Sequence, residues 1–182
     1  MTQEVFLTGN EVFFEDDEII VSKTDLKGRL TYTNRTFLKI AGYSEREVLG
    51  QPHSVIRHPD MPRCIFKLLW DTIAGGQEIF AYVVNRCKNG DHYWVYAHVT
   101  PSKDINGNII GYHSNRRVPD SNIISEAIIP LYRNLKAIEQ RQGRKEGLEA
   151  SQSQVAAFLA EKSLAYDEFV MILRQGSRCG YR

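Results

Sequence analysis

Two Asn-Gly dipeptides divide the middle of the chain into three runs rich in β-branched and aromatic residues. Asn89-Gly90 precedes the run 92–101, and Asn106-Gly107 separates that run from another at 108–117. An Asn-Gly pair accommodates the positive φ angles of a two-residue type I′ turn, whose twist matches that of the strands it joins. The sequence therefore predicts three consecutive antiparallel strands.

The residues before this meander predict two short strands and the start of a helical region. Residues 18–24 and 29–33 have strand-like composition and are joined by a turn at Lys27-Gly28. Asn34 can cap a short helix over the next turns, and Gly42 can end it.

Two further helices complete this part of the chain. Ser44-Glu45-Arg46-Glu47 is a capping box that opens a helix ending at Gly50. Residues 62–74 carry apolar side chains at helical spacing, and Gly75-Gly76 ends that helix. Two strands, a cluster of helices and three more strands predict an α+β domain, with helices on one side of an antiparallel sheet.

The residues after Asp120 predict helix. Ser121-Asn122 can cap a first helix, which Pro130 kinks or restarts because proline lacks an N–H and its ring clashes with the preceding turn. A turn within 140–147 leads to a second helix over 148–175, so a helical hairpin is expected. Truncation after Asp120 is expected to leave a folded, ligand-competent monomer.

Both tail helices are amphipathic, and their apolar stripes need burial because isolated helices are marginal in water. The stripes either cover the sheet of the same chain or form a surface for a second subunit or another partner, and a homodimer is the expectation. The stripe residues are Ile124, Ile128, Leu131, Leu135 and Ile138 on the first helix and Val155, Leu159, Tyr166, Phe169, Val170 and Leu173 on the second.

Composition excludes several classes of protein. A net charge of +1 over 182 residues gives no basic patch for nucleic acid. Cys64, Cys87 and Cys179 include no Cys-x-x-Cys pair, which predicts free thiols in a reducing, cytoplasmic compartment. No uncharged apolar segment approaches the roughly 18 residues of a membrane span, so a soluble protein is expected.

Four stretches resemble the PAS sensor domains, and within them the FAD-binding PAS domains of bacterial aerotaxis receptors. Two are common to many PAS domains, and two are more specific to the aerotaxis receptors. The stretches are Tyr-Thr-Asn-Arg-Thr-Phe at 32–37, Ala-Gly-Tyr-Ser at 41–44, Arg-His-Pro-Asp-Met-Pro at 57–62 and Asn-Arg-Cys-Lys-Asn-Gly-Asp-His-Tyr-Trp-Val at 85–95.

This resemblance implies a PAS fold, which is a five-stranded antiparallel sheet with helices on one face. The expected division is an N-terminal cap segment at 1–17, the PAS domain at 18–120 and a helical tail at 121–182. Aerotaxis receptors continue into a membrane anchor and a methyl-accepting coiled coil. Nothing in this sequence matches either, so the signal is expected to leave through the tail or a separate signalling partner.

The resemblance also implies that the domain holds FAD noncovalently. An arginine fork suits the diphosphate, amides suit the pyrimidine edge of the flavin ring, and aromatic side chains can line its slot. The helix that begins near Pro62 offers free N–H groups to phosphate. The expected cofactor-binding residues are Asn34, His53, Arg57, His58, Asp60, Phe66, Trp70 and Asn85.

Several of these side chains have a second explanation. Asn34 is equally suited to cap a helix, and Arg57 with Asp60 can form an ion pair that fixes the loop. Trp70, on an apolar helix face, can belong to the core. Asn85 in a mid-sheet strand is harder to explain without a ligand or water, since a buried amide without a partner costs about 1–3 kcal/mol.

One segment departs from the family pattern and leaves alternatives to FAD open. Ile79-Phe80-Ala81-Tyr82 stands where similar receptors have a tryptophan and a small-residue pair, and Tyr82 is expected to fill part of the slot. The alternatives are a ligand-free interaction module and a haem-binding gas sensor, for which five histidines offer axial ligands. His53, His58 and Asp60 lack the fourth ligand of a metal site.

The chain contains no hydrolase, phosphate-loop, kinase or cyclase motif, so it is not expected to be an enzyme. Cys64 follows the 57–62 loop, so it does not occupy the position required for a light-driven cysteinyl-flavin bond. The sequence therefore predicts a cytoplasmic signalling flavoprotein of the aerotaxis and chemotaxis type. Its FAD would sense redox state or oxygen, and a conformational change would carry the signal to the tail or a partner.

Overall fold

The computed structural model describes residues 6–178, apart from the side chains of 176–178. The first five residues of the predicted cap segment, the last four of the predicted tail and the predicted free thiol of Cys179 lie outside the described residues.

The core of the fold is one antiparallel sheet of five strands in the order β2-β1-β5-β4-β3. The meander predicted from the Asn-Gly pairs forms β3, β4 and β5, and the two amino-terminal strands join it through a pairing of β1 with β5. The strands are β1 (Ile20–Thr24), β2 (Leu30–Thr33), β3 (Ile79–Arg86), β4 (His92–Lys103) and β5 (Ile109–Arg117).

The two hairpin turns were predicted at the correct places but with the wrong geometry. Gly90 has a φ of 95°, whereas Asn89 does not enter the left-handed region, so the turn is not type I′. The Cys87 N–H donates to the Asp91 carbonyl (2.8 Å), which leaves a three-residue loop. The reason is local: the Asn89 side chain accepts from the Asp91 N–H and donates to its carboxylate, and these bonds stabilise the longer loop.

Helices cover one face of the sheet, as predicted. The Asn34 side chain accepts from the Phe37 N–H (2.9 Å) and Gly42 ends the same helix at a φ of 73°, so both expected caps are confirmed. The predicted capping box is also present, because Glu47 accepts from the Ser44 N–H (2.9 Å). The elements are α1 (Arg35–Ala41), α2 (Glu45–Val48), a 3-10 turn (His53–Ile56) and α3 (Arg63–Ala74).

The tail is helical but is not the two-helix hairpin that the sequence predicted. The Asp120 carboxylate, and not Ser121-Asn122, caps the first helix by accepting from the Asn122 N–H (2.9 Å). The predicted second helix is divided in two near Ser163, whose φ is +54°. The tail comprises α4 (Ser121–Ile123), a π-helical segment (Ile124–Ile128), α5 (Ile129–Arg141), α6 (Arg144–Glu161) and α7 (Tyr166–Arg178).

The tail packs on the other face of the sheet, over β3 and β4. The Tyr132 hydroxyl donates to the Tyr82 carbonyl (2.5 Å), and the rings of Tyr132 and Trp94 are 6.0 Å apart. Leu135 and Val170 are buried in the same apolar core as the sheet. The apolar stripes that suggested a second subunit are therefore largely used within one chain.

The N-terminal segment extends the sheet beside the start of β4. The Val12 N–H donates to the His92 carbonyl (2.7 Å), and the His92 N–H donates to the Asn10 carbonyl (2.9 Å). This segment borders β4, and its Val12 and Phe14 line a groove together with Ile124 at the beginning of the tail.

Candidate functional site: a cavity between the sheet and helix α3

A cavity lies between the inner face of the sheet and α3. Its volume is about 50 Å³ for the centres of water-sized spheres, which is room for several water molecules. Its apolar lining is Met61, Phe66, Leu69, Trp70, Ile73, Val83, Val84, Ala97, Val99 and Tyr112. Its polar lining is Ser22, Thr24, His53, Arg57, Asn85, His113, Ser114 and Arg116.

Three buried polar atoms on the cavity wall have no hydrogen-bond partner in the described protein. They are Asn85 Nδ2, Thr24 Oγ1 and Arg116 Nη1. Each unsatisfied group costs about 1–3 kcal/mol, and proteins keep such groups where a ligand or water satisfies them. The wall is therefore suited to a guest that carries both donors and acceptors, which is the chemistry of a flavin edge.

The charged groups of the cavity are cationic. Arg116 is 2% exposed, and its guanidinium donates to Ser114 Oγ (3.1 Å) and to Ser22 Oγ. Burial lowers the pKa of Arg116. Burial, together with the neighbouring Arg116, lowers the pKa of His53 to about 3, so its imidazole is neutral. The described lining residues include no Asp or Glu, and the site therefore favours an electron-rich or anionic group.

Arg57 lies at the cavity wall and is not paired with Asp60. Its guanidinium stacks 4.4 Å from the centre of the Phe66 ring and donates to the Met61 carbonyl (3.3 Å). Its backbone forms an isolated β-bridge with Asn85. The structure thus brings together Arg57, Phe66 and Asn85, three of the expected binding residues.

Trp70 closes the cavity on the side of α3. It is half-buried and packs edge-on against Tyr112, with ring centres 5.5 Å apart. The indole also lies against Gly28, where a Cβ would come within 2.8 Å of the ring. Trp70 therefore belongs both to the core and to the cavity wall.

Two expected binding residues lie in a groove next to the tail and outside the cavity. His58 is buried, its Nδ1 accepts from the Asp60 N–H (3.1 Å), and its ring is 5.6 Å from that of His92. Burial lowers the pKa of His58, although Asp60 opposes the shift. Both line a groove with α5. Since His53 lies in the cavity whereas His58 and Asp60 line the groove, these three residues do not form a metal site.

Two further expectations are corrected. The Asn34 amide is used within the fold, since its Oδ1 accepts from the Phe37 and Val21 N–H groups and its Nδ2 donates to the Ile19 carbonyl. Asn34 is a helix cap and does not line the cavity.

Tyr82 does not fill the slot, because β3 directs its side chain to the tail face, where it packs against Tyr96.

Sequence reasoning missed the residues that β1 and β5 bring to the cavity, above all Arg116. The signal was present, because alternation along the predicted β5 places Tyr112, Ser114 and Arg116 on one face. A charged residue at an inward position of a central strand points to a polar site.

The comparisons with known proteins agree with this fold. Residues 30–116 match the family model of the PAS fold. They form a PAS domain. The chain is also 41% identical over 138 residues to the aerotaxis receptor of Escherichia coli (strain K12), a match that covers 75% of this chain and 27% of the receptor.

Other matches have lower sequence identity. The chain is 27% identical over 103 residues to the nitrogen fixation regulatory protein of Klebsiella pneumoniae, covering 57% of this chain and 21% of that protein. The chain thus spans about a quarter or less of these curated relatives. The dark structure of the Aureochrome1 LOV blue-light photoreceptor superposes with a TM-score of 0.52 at 25% identity, covering 66% of this chain and 86% of that one.

Across residues 6–178, every helix is too short or too polar to cross a bilayer. Cys64 and Cys87 are buried free cysteines, and neither lines the cavity. Burial raises the pKa of each thiol to about 11.

Proposed function

We propose that this PAS domain binds FAD with the flavin ring in the cavity and reports redox state or oxygen to the tail or to a signalling partner. The observation that carries the proposal is the set of unpartnered buried polar atoms in a cationic cavity. Water could satisfy these atoms singly, but a planar ring with donors and acceptors along one edge would satisfy several at once. The same cavity offers several apolar walls to the ring.

Four cavity residues would have defined roles toward the flavin. The Asn85 amide would donate to a ring carbonyl through Nδ2, which has no other partner. Arg116 would donate through Nη1 to an electron-rich edge, and neutral His53 would sit beside it without adding charge. Arg57 would leave its place over Phe66 to contact the diphosphate, and this movement would widen the slot. When bound, the flavin supplies a ring whose charge depends on redox state.

Similarity to the aerotaxis receptor supports a role in taxis toward favourable oxygen or redox conditions. The likeness covers 138 of the 182 residues of this chain, so it includes the cavity residues from His53 to Arg116. The proposal extends to a cytoplasmic protein that acts through a partner, either a second copy of this chain or a component of the chemotaxis machinery. Redox state would shift the population between two packings of the domain against its tail.

The direct test is the absorption spectrum of protein purified without added cofactor. We expect yellow protein with the bands of a flavin, and heat denaturation is expected to release FAD rather than FMN. Protein that is colourless and takes up no FAD at micromolar concentration would contradict the proposal and favour a ligand-free interaction module. A sharp Soret band would instead indicate haem.

Replacing Arg57 is expected to weaken FAD binding while the domain stays folded. Loss of one charge-assisted phosphate contact costs about 1.5–3 kcal/mol, or roughly tenfold to a hundredfold in Kd. Fluorescence titration of Arg57→Ala with FAD measures this loss, and circular dichroism checks the fold. Arg35→Ala removes an exposed arginine at the start of α1 and serves as the control. Unchanged affinity in Arg57→Ala would assign Arg57 to the loop alone.

A further inference from the structure

One short segment, residues 57–64, contacts both the cavity and the tail. Its extended part begins at Arg57, whose φ and ψ are −71° and 125°. In extended backbone, consecutive side chains point to opposite sides. Arg57 accordingly lines the cavity, whereas His58 lines the groove beside α5.

The cavity side of this segment is a structural part of the wall. Arg57 and Met61 both line the cavity, and the Arg57 side chain donates to the Met61 carbonyl. The β-bridge between Arg57 and Asn85 fixes the segment to β3. A shift of this segment therefore moves two cavity-lining side chains together.

The tail side of the segment is held by four hydrogen bonds with α5, one of which Arg63 Nη2 donates to the Glu139 backbone carbonyl (3.4 Å). Lys136 Nζ donates to the Pro59 carbonyl (2.8 Å). Arg63 Nε donates to Glu139 Oε2 (3.2 Å), and the Cys64 N–H donates to Glu139 Oε1 (3.0 Å). The proposed FAD contacts use none of these groups.

Glu139 is the centre of this junction. Its side chain is 2% exposed, and it also accepts from Ser151 Oγ on α6 (3.3 Å). Burial by itself raises the pKa of Glu139, but the hydrogen bonds from Cys64 and Arg63 outweigh it, and the pKa is lowered. The carboxylate is thus ionised at neutral pH. A Cβ on Gly147 would lie 2.5 Å from the Glu139 carbonyl, so α5 and α6 are in close contact here.

We infer that Glu139 is a positioning residue for the cavity: by holding Arg63 and Cys64 it fixes the segment 57–64, so that tail packing and cavity geometry are coupled. The part that concerns ligand rests on the proposed FAD binding. Coupling of this kind is reciprocal. A ligand that favours the fixed wall tightens the junction with the tail, and the intact junction raises the affinity for that ligand.

Glu139→Gln separates this role from simple packing. Glutamine keeps the shape and a carbonyl acceptor for the Cys64 N–H, but it removes the charge that holds Arg63. Asp71→Asn is the matched control, because Asp71 forms an exposed ion pair with Lys67 on the same helix α3 (2.7 Å). Both variants lose one carboxylate, and only one of them touches the junction.

Hydrogen exchange without any ligand gives the first measurement. Glu139→Gln is expected to raise exchange in residues 57–64 as well as in 144–151, and Asp71→Asn is expected to leave both at the wild-type rate. Faster exchange confined to the tail, with 57–64 unchanged, would overturn the inference. Should Glu139→Gln fail to fold, Lys136→Met removes the contact with Pro59 and is expected to raise exchange over the same segment.

FAD titration gives the second measurement. Relative to wild type, Glu139→Gln is expected to weaken FAD binding about tenfold, and FAD is expected to slow exchange in 129–151. Asp71→Asn is expected to match wild type. Wild-type protein that binds no FAD would refute the proposed function and leave the exchange result to decide on the coupling. Wild-type affinity in Glu139→Gln would refute the coupling and leave the proposed function intact.

Discussion

Truncation after Asp120 is expected to give a protein that aggregates or unfolds far below the melting temperature of the full chain. The cut removes the cover of the outer face of β3 and β4, where Tyr82, Trp94 and Tyr96 are each less than 10% exposed. Each large apolar side chain that becomes exposed forfeits about 1.5–3 kcal/mol. Several such losses approach the whole stability of a typical domain, about 5–15 kcal/mol.

Size-exclusion chromatography and thermal unfolding measure this effect, and dye binding reports the exposed apolar face. Truncation after Glu161 is the graded control, since it retains α5 and α6 and removes α7 with its buried Val170. We expect it to be less damaging. A monomer ending at Asp120 with a near-native melting temperature would restore the interpretation from sequence alone, in which the tail is dispensable for folding.

Arg116→Met is expected to stabilise the protein while weakening flavin binding. The guanidinium is buried without a carboxylate beside it in the described cavity, and one nitrogen has no partner. Replacing a buried charge that has no ionic partner by an apolar side chain removes the desolvation penalty of that charge, which is on the order of several kcal/mol. We expect about 1–2 kcal/mol here, because Ser22 and Ser114 lose a donor.

The effect of Arg116→Met on FAD is expected to have the opposite sign, with roughly a tenfold to hundredfold loss of affinity. Arg117→Met is the control, since Arg117 is exposed and lies outside the cavity. Denaturant unfolding and FAD titration on both variants measure the two quantities. Arg116→Met that loses stability and keeps wild-type affinity would make Arg116 a structural residue.

The local signals in the sequence were sufficient for most of the fold. The Asn34 cap and the Gly42 stop depend on neighbouring residues, and they occur as predicted. The loops of the two hairpins depend on one more factor, the side-chain hydrogen bonds of Asn89 in the first and of Asp104 in the second, which composition alone did not reveal. The break near Ser163 had no clear signal, because residues 148–175 contain neither Gly nor Pro within an otherwise helical pattern.

The binding site was harder to predict than the fold. A sequence motif assigns adjacent residues to the same site, whereas extended backbone directs their side chains to opposite sides. Arg57 and His58 belong to one motif, yet extended backbone directs one to the cavity and the other to the tail. Conversely, Arg116 is remote from both motifs and reaches the cavity through strand pairing, since it lies opposite Ile20 of β1 and Ala97 of β4. The alternation of side chains along extended backbone is the rule that would have separated Arg57 from His58 and placed Arg116 in the cavity.

The π-helical segment before α5 determines which residues of α5 face the core. The Ile129 N–H donates to the Ile124 carbonyl, five residues back. In an α-helix the acceptor lies four residues back, so the hydrogen-bonded turn here contains one additional residue. Ile128, Tyr132, Leu135 and Glu139 then follow at helical spacing, and all four face inward. Each residue added or removed between Asp120 and Pro130 turns α5 by about 100°. Evolution of this chain can therefore vary the composition of that stretch more freely than its length.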